Sequence, residues 1–310
     1  MVNLHTNLLG MSLDNPIIPA SGTFGFGGEY TKYYDINILG SIVTKAITKE
    51  PRTGNPTPRI AETQAGMLNS IGLQNPGVDH VIAYELPKMK TIYQKKVIAN
   101  VSGSTIDEYL DVIKKLNEVD NIGAYEINIS CPNVKDGGMA FGTSEIMAAN
   151  ITRQCKKIAK RPIVFKLSPN VTNIVAIAKA VENAGADGIA LINTLVGMAI
   201  DLKTKKPVLA RKIGGLSGPA IKPIALRMVY QVYEAVKIPI IGIGGINCCE
   251  DVLEFILAGA TAVEIGSANL VDPCICKNII ERLPCVMEKY GFSSIENLIG
   301  GAHETRNHRL

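Results

Sequence analysis

The stretch Tyr125-Glu-Ile-Asn-Ile-Ser-Cys-Pro-Asn133 is the most informative part of this chain. Its first half is typical of a buried strand, and its second half carries a hydroxyl, a thiol and two carboxamides. Alternation along a strand places Asn128 and Ser130 on one face, and Pro132 stops the strand before Asn133. A packed core does not need such a polar strand tip, whereas an active site at the mouth of a β/α barrel does.

Short β-branched runs of the same kind recur along the chain and alternate with helical patterns. The predicted strands cover residues 41–45, 97–101, 125–130, 163–167, 188–193, 240–244 and 262–266, with an eighth near 16–20. Two clear helical patterns, residues 174–184 and 250–258, end at Gly185 and Gly259. Strands that alternate with helices indicate a parallel sheet. We therefore predict an α/β fold, a (β/α)8 TIM barrel in one domain over residues 1–310, with a doubly wound open sheet as the alternative.

Internal similarity supports repeated βα units. Arg161-Pro-Ile-Val164 recurs as Ile238-Pro-Ile-Ile241, and Ala184-Gly-Ala186 recurs as Ala258-Gly-Ala260. The segment 49–78 is too long for a simple βα loop, which is typical of a functional lid or wall.

Composition excludes several classes of protein. The 310 residues carry a net charge of only +4, which gives no nucleic-acid footprint. The seven cysteines lack metal-ligand spacing and are expected to be reduced thiols in a cytoplasmic protein. The four histidines lie outside the motifs, and no zinc site is predicted. The first 16 residues resemble neither a signal peptide nor a membrane anchor.

Polar residues recur where the predicted strands end. Barrel active sites lie on that face, although single residues there can simply cap the barrel. A lysine on a barrel strand is costly to bury unless it meets an anion, such as a reduced flavin or a substrate carboxylate. The strand-end residues are Lys45, Asn100, Asn128 with Cys131, Lys166, and Asn193 with Thr194.

Glycine turns follow the two last strands, at Gly242-Ile-Gly-Gly245 and at Gly266-Ser267. The loops after strands seven and eight of a barrel commonly bind phosphate, because glycine lets backbone N–H groups approach the phosphate oxygens. Gly214-Gly-Leu-Ser-Gly218 is a candidate third wall. No GxGxxG follows a first strand, so a Rossmann site is not supported.

Cys131 has three interpretations: a small buried hydrophobic residue, a nucleophile or a general base. Its position in a polar loop favours a functional role. A thiolate base suits a polar, partly cationic site.

Several long blocks, taken together in order, resemble the class 1 dihydroorotate dehydrogenases, and most closely the class 1B catalytic subunits. The resemblance runs from about Leu4 to the C-terminus. The blocks are Asn15-Pro-Ile-Ile-Pro-Ala-Ser-Gly22, Val43-Thr-Lys45, Glu50-Pro-Arg-x-Gly-Asn-Pro56, Gly66-Met-Leu-Asn-Ser-Ile-Gly-Leu-Gln-Asn-Pro-Gly77, Asn128-Ile-Ser-Cys-Pro-Asn133, Asn193-Thr-x-x-Gly-Met-Ala-Ile-Asp201 and Gly214-Gly-Leu-Ser-Gly-Pro219. Class 1B is favoured over 1A by the 193–201 block and by Lys135-Asp-Gly-Gly138.

The resemblance implies a barrel that holds one FMN at the C-terminal face of its strands and oxidises (S)-dihydroorotate to orotate in pyrimidine synthesis. Cys131 would take the proton from C5, and FMN N5 would take the hydride from C6. The implied substrate-binding residues are Lys45, Asn69, Ser70, Ile71, Gly72, Leu73, Asn128, Asn133, Asn193 and Thr194. The implied FMN-binding residues are Ala20, Ser21, Lys45, Ala46, Asn100, Asn128, Lys166, Ile192, Gly218, Gly244, Gly245, Gly266 and Ser267.

A partner is also implied. This chain resembles class 1B catalytic subunits, which pass electrons to a second subunit. That subunit carries FAD and a [2Fe–2S] cluster and reduces NAD+. The chain shows no four-cysteine cluster spacing and no dinucleotide fingerprint. The family further suggests a homodimer within a heterotetramer.

Two other functions remain open from the sequence. A related FMN barrel would act on another dihydropyrimidine and change only the carboxylate contacts. A non-redox barrel would bind a phosphorylated ligand at the glycine turns, but would leave Cys131 and both lysines unexplained.

Overall fold

Strands alternate with helices along the chain, in a computed structural model that describes residues 2–130 and 141–303. The strands within these residues are β1 (Thr6–Leu8), β2 (Met11–Leu13), β3 (Ile17–Pro19), β4 (Ile60–Thr63), β5 (Gly66–Asn69), β6 (Val97–Val101), β7 (Ile122–Asn128), β8 (Ile163–Lys166), β9 (Gly188–Leu191), β10 (Leu195–Met198), β11 (Ile200–Asp201), β12 (Lys206–Pro207), β13 (Ile213–Ser217), β14 (Ile240–Ile243) and β15 (Ala262–Ile265).

The α-helices of the same residues lie mostly between the strands of the large parallel sheet. They are α1 (Ser21–Phe24), α2 (Val78–His80), α3 (Leu86–Ile92), α4 (Ile106–Leu116), α5 (Glu145–Ile158), α6 (Ile174–Asn183), α7 (Lys222–Ala235), α8 (Cys249–Leu257), α9 (Ala268–Val271), α10 (Ile275–Lys289) and α11 (Ile295–Leu298). In the described part of the chain, none of the helices has the length and apolar character needed to cross a membrane.

Helix α4 shows how local sequence sets an element. The hydroxyl of Thr105 accepts a hydrogen bond from the Glu108 N–H and caps its first turn. Acidic residues follow in the first turn and lysines in the last turn, which complements the helix dipole. Its apolar residues recur at helical spacing and form one buried face, made of Tyr109, Val112, Ile113 and Leu116.

Seven parallel strands form the main sheet, in the order β3-β15-β14-β9-β8-β7-β6. Residues 41–47 lie between the two edge strands and close the ring. On one side Val43 bridges Ile98 and Ile47 bridges Val101, both in the parallel sense. On the other side the Val43 N–H donates to the Pro19 carbonyl, 3.4 Å away. The chain therefore folds as the predicted β/α barrel, and all eight predicted strand positions take part in it.

The predicted strand 41–45 differs from the expectation, because it forms isolated bridges and not a regular ladder. The reason lies in Thr44, whose side-chain hydroxyl accepts the Asn100 N–H at 3.2 Å. A side chain thus takes the place of a backbone carbonyl and interrupts the ladder. Two other predicted strands, 125–130 and 188–193, end two residues earlier than expected, at Asn128 and Leu191.

The barrel interior is filled by apolar residues from each strand position. The hairpin formed by β1 and β2 adds its own apolar side chains to this cluster. The buried members are Leu8, Met11, Leu13, Ile18, Val43, Ile98, Ala124, Val164, Ala190, Ile241, Ile243 and Ala262. The barrel is therefore packed and not an open pore.

The helix-ending glycines have the conformation that the sequence predicts. Gly185 and Gly259 follow α6 and α8 with φ of +101° and +115°. A Cβ at Gly259 would also lie 2.1 Å from the Tyr233 ring.

A second, antiparallel sheet has the strand order β10-β13-β5-β4. Two of its strands belong to the segment 49–78, predicted as a lid or wall, and two belong to the segment after β9. A Cβ at Gly215 would lie 2.0 Å from the Thr194 Oγ1, so only glycine allows β13 to approach the barrel there.

Candidate functional site

A cavity of about 840 Å³ is lined by residues from the carboxyl ends of the barrel strands and from the antiparallel sheet. Nearly all described residues that the sequence predicts for the site line this cavity. They are Ala20, Ser21, Lys45, Ala46, Asn69, Ser70, Ile71, Gly72, Leu73, Asn128, Lys166, Ile192, Asn193, Thr194, Gly218, Gly244, Gly245, Gly266 and Ser267. The volume is within the range of cavities that bind cofactors or drug-sized molecules.

Three predicted site residues are not among this lining. The side chain of Asn100 is fully buried, and its Nδ2 donates to Glu126. Cys131 and Asn133 lie outside the described residues, which also holds for Lys135-Asp-Gly-Gly138.

A second groove, of about 970 Å³, is formed by the loops that precede α5 and α6. None of the predicted site residues lines it. The predicted site residues therefore line the smaller cavity and not this groove.

Side chains of two strand tips are joined by hydrogen bonds at the cavity. Nδ2 of Asn193 donates to Ser130 Oγ at 3.0 Å and to Asn128 Oδ1 at 3.3 Å. Oδ1 of Asn193 accepts the Thr194 N–H at 2.8 Å. Asn128 Nδ2 donates to no acceptor among residues 2–130 and 141–303, so it is available to a ligand.

Lys45 is a half-buried cation in the cavity lining. Within the described residues no acidic side chain lies in salt-bridge distance of its ammonium group. Burial lowers its pKa, and the charge of Arg59 lowers it further. A desolvated cation of this kind is stabilised by any anion that enters the cavity.

Lys166 is buried and has partners that the sequence analysis missed. Its Nζ lies 2.8 Å from Oε2 of Glu264 and 3.2 Å from Oε1 of Glu126. Burial opposes its charge, but the two carboxyl groups raise its pKa above the usual value. The sequence signal for these partners is a glutamate inside each of two apolar strands. Glu126 lies two residues before Asn128 at the end of β7, and Glu264 lies two residues before Gly266, which follows β15.

The cavity lining has a one-sided charge. Its described residues include four cations and no aspartate or glutamate. The cations are Lys45, Arg52, Lys166 and Arg211. Arg52 is held by Glu108 at 3.3 Å, and Arg211 by Asn55 at 3.2 Å. Such a lining favours anionic ligands.

Glycines form one end of the cavity, at the tips of β14 and β15 and at the end of β13. Gly244 and Gly245 have φ of +134° and +73°, which side chains rarely adopt. A Cβ at Gly245 would also lie 2.8 Å from the Gly218 carbonyl oxygen. At Gly266, by contrast, a Cβ would meet nothing closer than Ala20 Cβ at 4.0 Å. The space above Gly266 is therefore open to a ligand.

Ser70 adds a further polar atom to the lining. Its Oγ is buried and has no hydrogen-bond partner in the described part of the chain. Buried hydroxyls are rarely left unpaired, so this atom also indicates a ligand position.

The family model for dihydroorotate dehydrogenase matches residues 3–287. A protein of Anoxybacillus flavithermus, named dihydroorotate dehydrogenase B (NAD(+)), catalytic subunit, is 59% identical over 300 residues, covering 97% of this chain and 96% of the relative. Equally named proteins of Bacillus cytotoxicus and Geobacillus kaustophilus are 58% and 56% identical, covering 97% and 100% of this chain and 97% and 99% of the relatives. The chain belongs to the dihydroorotate dehydrogenase family.

Proposed function

We propose that this chain is the catalytic subunit of an NAD+-linked dihydroorotate dehydrogenase, which uses FMN to oxidise (S)-dihydroorotate to orotate. The observation that carries the proposal is Lys45, an ammonium group without a carboxylate partner among the described residues, in a cavity that is also lined by asparagines. A carboxylate bound to Lys45 relieves its desolvation. The carboxamides of Asn69, Asn128 and Asn193 match the ring amides of dihydroorotate.

The residues present fit FMN. Gly218, Gly244, Gly245, Gly266 and Ser267 would hold the phosphate, since glycine backbone can approach phosphate oxygens closely and the space above Gly266 is open. Lys166 would lie at the isoalloxazine ring and stabilise its negative charge, with the remaining contacts from Ala20, Ser21, Ala46, Asn100, Asn128 and Ile192. When bound there, FMN supplies a two-electron acceptor for the hydride from C6 of the substrate.

The residues of the chain divide the remaining tasks. Lys45 binds the substrate carboxylate, and Asn69, Asn128, Asn133, Asn193 and Thr194 orient the ring. The turn after β5, with Ser70, Ile71, Gly72 and Leu73, lines the cavity and limits the access of water. Cys131, which directly follows Ser130 in the sequence, receives the proton from C5 as the general base.

Electrons leave this chain for a second protein in the proposal. The relatives are named as catalytic subunits of an NAD(+) enzyme, which supports a partner. We propose that the partner carries FAD and a [2Fe–2S] cluster and reduces NAD+, and that two catalytic subunits pair within a heterotetramer.

Anaerobic mixing of the FMN-loaded protein with dihydroorotate tests the proposal. We expect the visible absorbance band of the flavin to bleach as orotate appears. A flavoprotein that dihydroorotate does not bleach would indicate another dihydropyrimidine as substrate. A chain that cannot be loaded with FMN would indicate a non-redox barrel that binds a phosphorylated ligand.

Without its partner, the chain is expected to reduce artificial electron acceptors with dihydroorotate but not NAD+. The reason is the missing dinucleotide fingerprint in the sequence. Parallel assays with a dye and with NAD+, on the same preparation, measure both rates. Rapid NAD+ reduction by this chain alone would refute the proposed second subunit.

Gly266→Ala is expected to weaken FMN binding about tenfold or more without destabilising the FMN-free chain. The added Cβ would meet no protein atom closer than 4.0 Å, but it would fill the open space proposed for the phosphate. Flavin fluorescence titration gives the Kd, and thermal unfolding of the FMN-free chain gives the stability. Gly28→Ala is the matched control, because Gly28 has equally open surroundings and lies outside the cavity lining. Equal FMN affinity in the two variants would contradict the phosphate assignment.

A further inference from the structure

Two buried glutamates lie inside the barrel, in contact with the Lys166 side chain that lines the cavity. Glu126 precedes Asn128 by two residues, and Glu264 precedes Gly266 by two residues. Since strand side chains alternate, each carboxyl group is on the same face as the cavity residue above it. Both glutamates are completely buried, and the ammonium group of Lys166 lies between them and the cavity.

The partners of these carboxyl groups are few. Each bonds Lys166 through one oxygen, and Asn100 Nδ2 also donates to Glu126. The other oxygens, Glu126 Oε2 and Glu264 Oε1, have no hydrogen-bond partner in the described part of the chain. Two ionised carboxylates around one ammonium group would also leave a net negative charge in a fully buried site, which is costly.

One proton resolves both problems, because it removes the net charge and lets one carboxyl donate to the other. The pKa of Glu264 agrees with this assignment. Burial and then the negative charge of Glu126 raise it well above its usual value, and Lys166 lowers it by less.

We propose that Glu126 and Glu264 are positioning residues that share one proton, so that the buried layer is neutral and Lys166 keeps its ammonium group at the floor of the cofactor site. The inference rests on the proposed function, since it concerns the charge that FMN meets. The layer then contains one ammonium, one carboxylate and one carboxylic acid. Its net charge contributes to the two-electron midpoint potential of bound FMN.

Potential measurements on three glutamine variants test this arrangement. In Glu126→Gln or Glu264→Gln the remaining carboxyl ionises and the layer stays neutral. The midpoint potential of FMN in each single variant is therefore expected to lie within about 15 mV of the wild-type value. This corresponds to a change of about threefold in the ratio of the affinities for reduced and oxidised FMN. The double variant leaves Lys166 uncompensated, and its potential is expected to rise by about 30 mV or more, about tenfold in that ratio.

Other outcomes would overturn the inference. Additive shifts of about 30 mV in each single variant would mean that both carboxyls are ionised and share no proton. An unchanged potential in the double variant would mean that the glutamates do not control the charge that Lys166 presents. A wild type that binds no FMN would instead refute the proposed function, and the infrared experiment below would still test the proton.

Infrared spectra of the FMN-free protein detect the proton directly. We expect the carbonyl stretch of a buried carboxylic acid in the wild type, and its loss in both single variants. Glu118→Gln is the control, because Glu118 is an exposed ionised partner of Lys160 and its replacement should leave the band unchanged. A wild type without the band, or a band that survives in both single variants, would overturn the shared proton even if the double variant did not fold.

Discussion

Cys131→Ala is expected to lower kcat by about 10²–10⁴-fold and to leave FMN binding unchanged. This is the contribution that a positioned general base typically makes, and the thiol has no proposed role in holding the cofactor. Steady-state turnover with dihydroorotate and an artificial acceptor gives the rate, and the ratio of flavin to protein gives the occupancy. Cys285→Ala, which removes an exposed thiol from α10, is the matched control and should behave as the wild type.

Two results would contradict the role of Cys131. Loss of flavin together with activity would make Cys131 a structural residue. Cys131→Ser is expected to regain activity only at raised pH, because a hydroxyl is a much weaker acid than a thiol. A serine variant that is fully active at neutral pH would exclude the thiolate as the base.

Lys45→Met is expected to lower kcat/KM for dihydroorotate by roughly 10²–10³-fold, because a buried charge pair with the substrate carboxylate is lost. The same change should stabilise the substrate-free fold slightly, since it removes a desolvated charge without a carboxylate partner in the described part of the chain. Burial lowers the pKa of Lys45, which means that the folded state disfavours its charged form, and removal of the charge relieves this cost. We therefore expect opposite signs for activity and for stability.

Kinetics and thermal unfolding on the same preparation check both signs. Lys49→Met is the control, because Lys49 is an outward-facing lysine paired with Asp111 at 2.8 Å. It should leave kcat/KM unchanged and should not stabilise the fold. A Lys45 variant that loses stability as well as activity would make Lys45 a structural residue and would remove the main support for the proposed substrate.

Local patterns in the sequence were sufficient to predict the barrel. Strand periodicity, the polar residues after each strand and the glycines after α6 and α8 depend only on neighbouring residues, and they predicted all eight strand positions. The same holds for most of the cavity, since Lys45, Asn128 and Asn193 follow strands whose carboxyl ends must meet in a parallel barrel.

Three features required the tertiary structure. Asn100 was predicted at the cofactor, and the structure adds that its amide donates to Glu126 on the neighbouring strand. The segment 41–45 is irregular because Thr44 uses its side chain toward β6. Lys166 was predicted to meet an anion such as a reduced flavin or a substrate carboxylate. It also binds Glu264, although β9 and β14 separate β8 from β15 in the sheet.

These differences have one physical cause. Periodicity and turn residues are local, so the sequence determined which segments are strands and which side chains lie at their ends. Side chains that point into a closed barrel meet across its interior, and their partners depend on the register and curvature of the whole sheet. Only the closed barrel therefore decided which carboxyl groups surround Lys166, and with them the charge at the floor of the site.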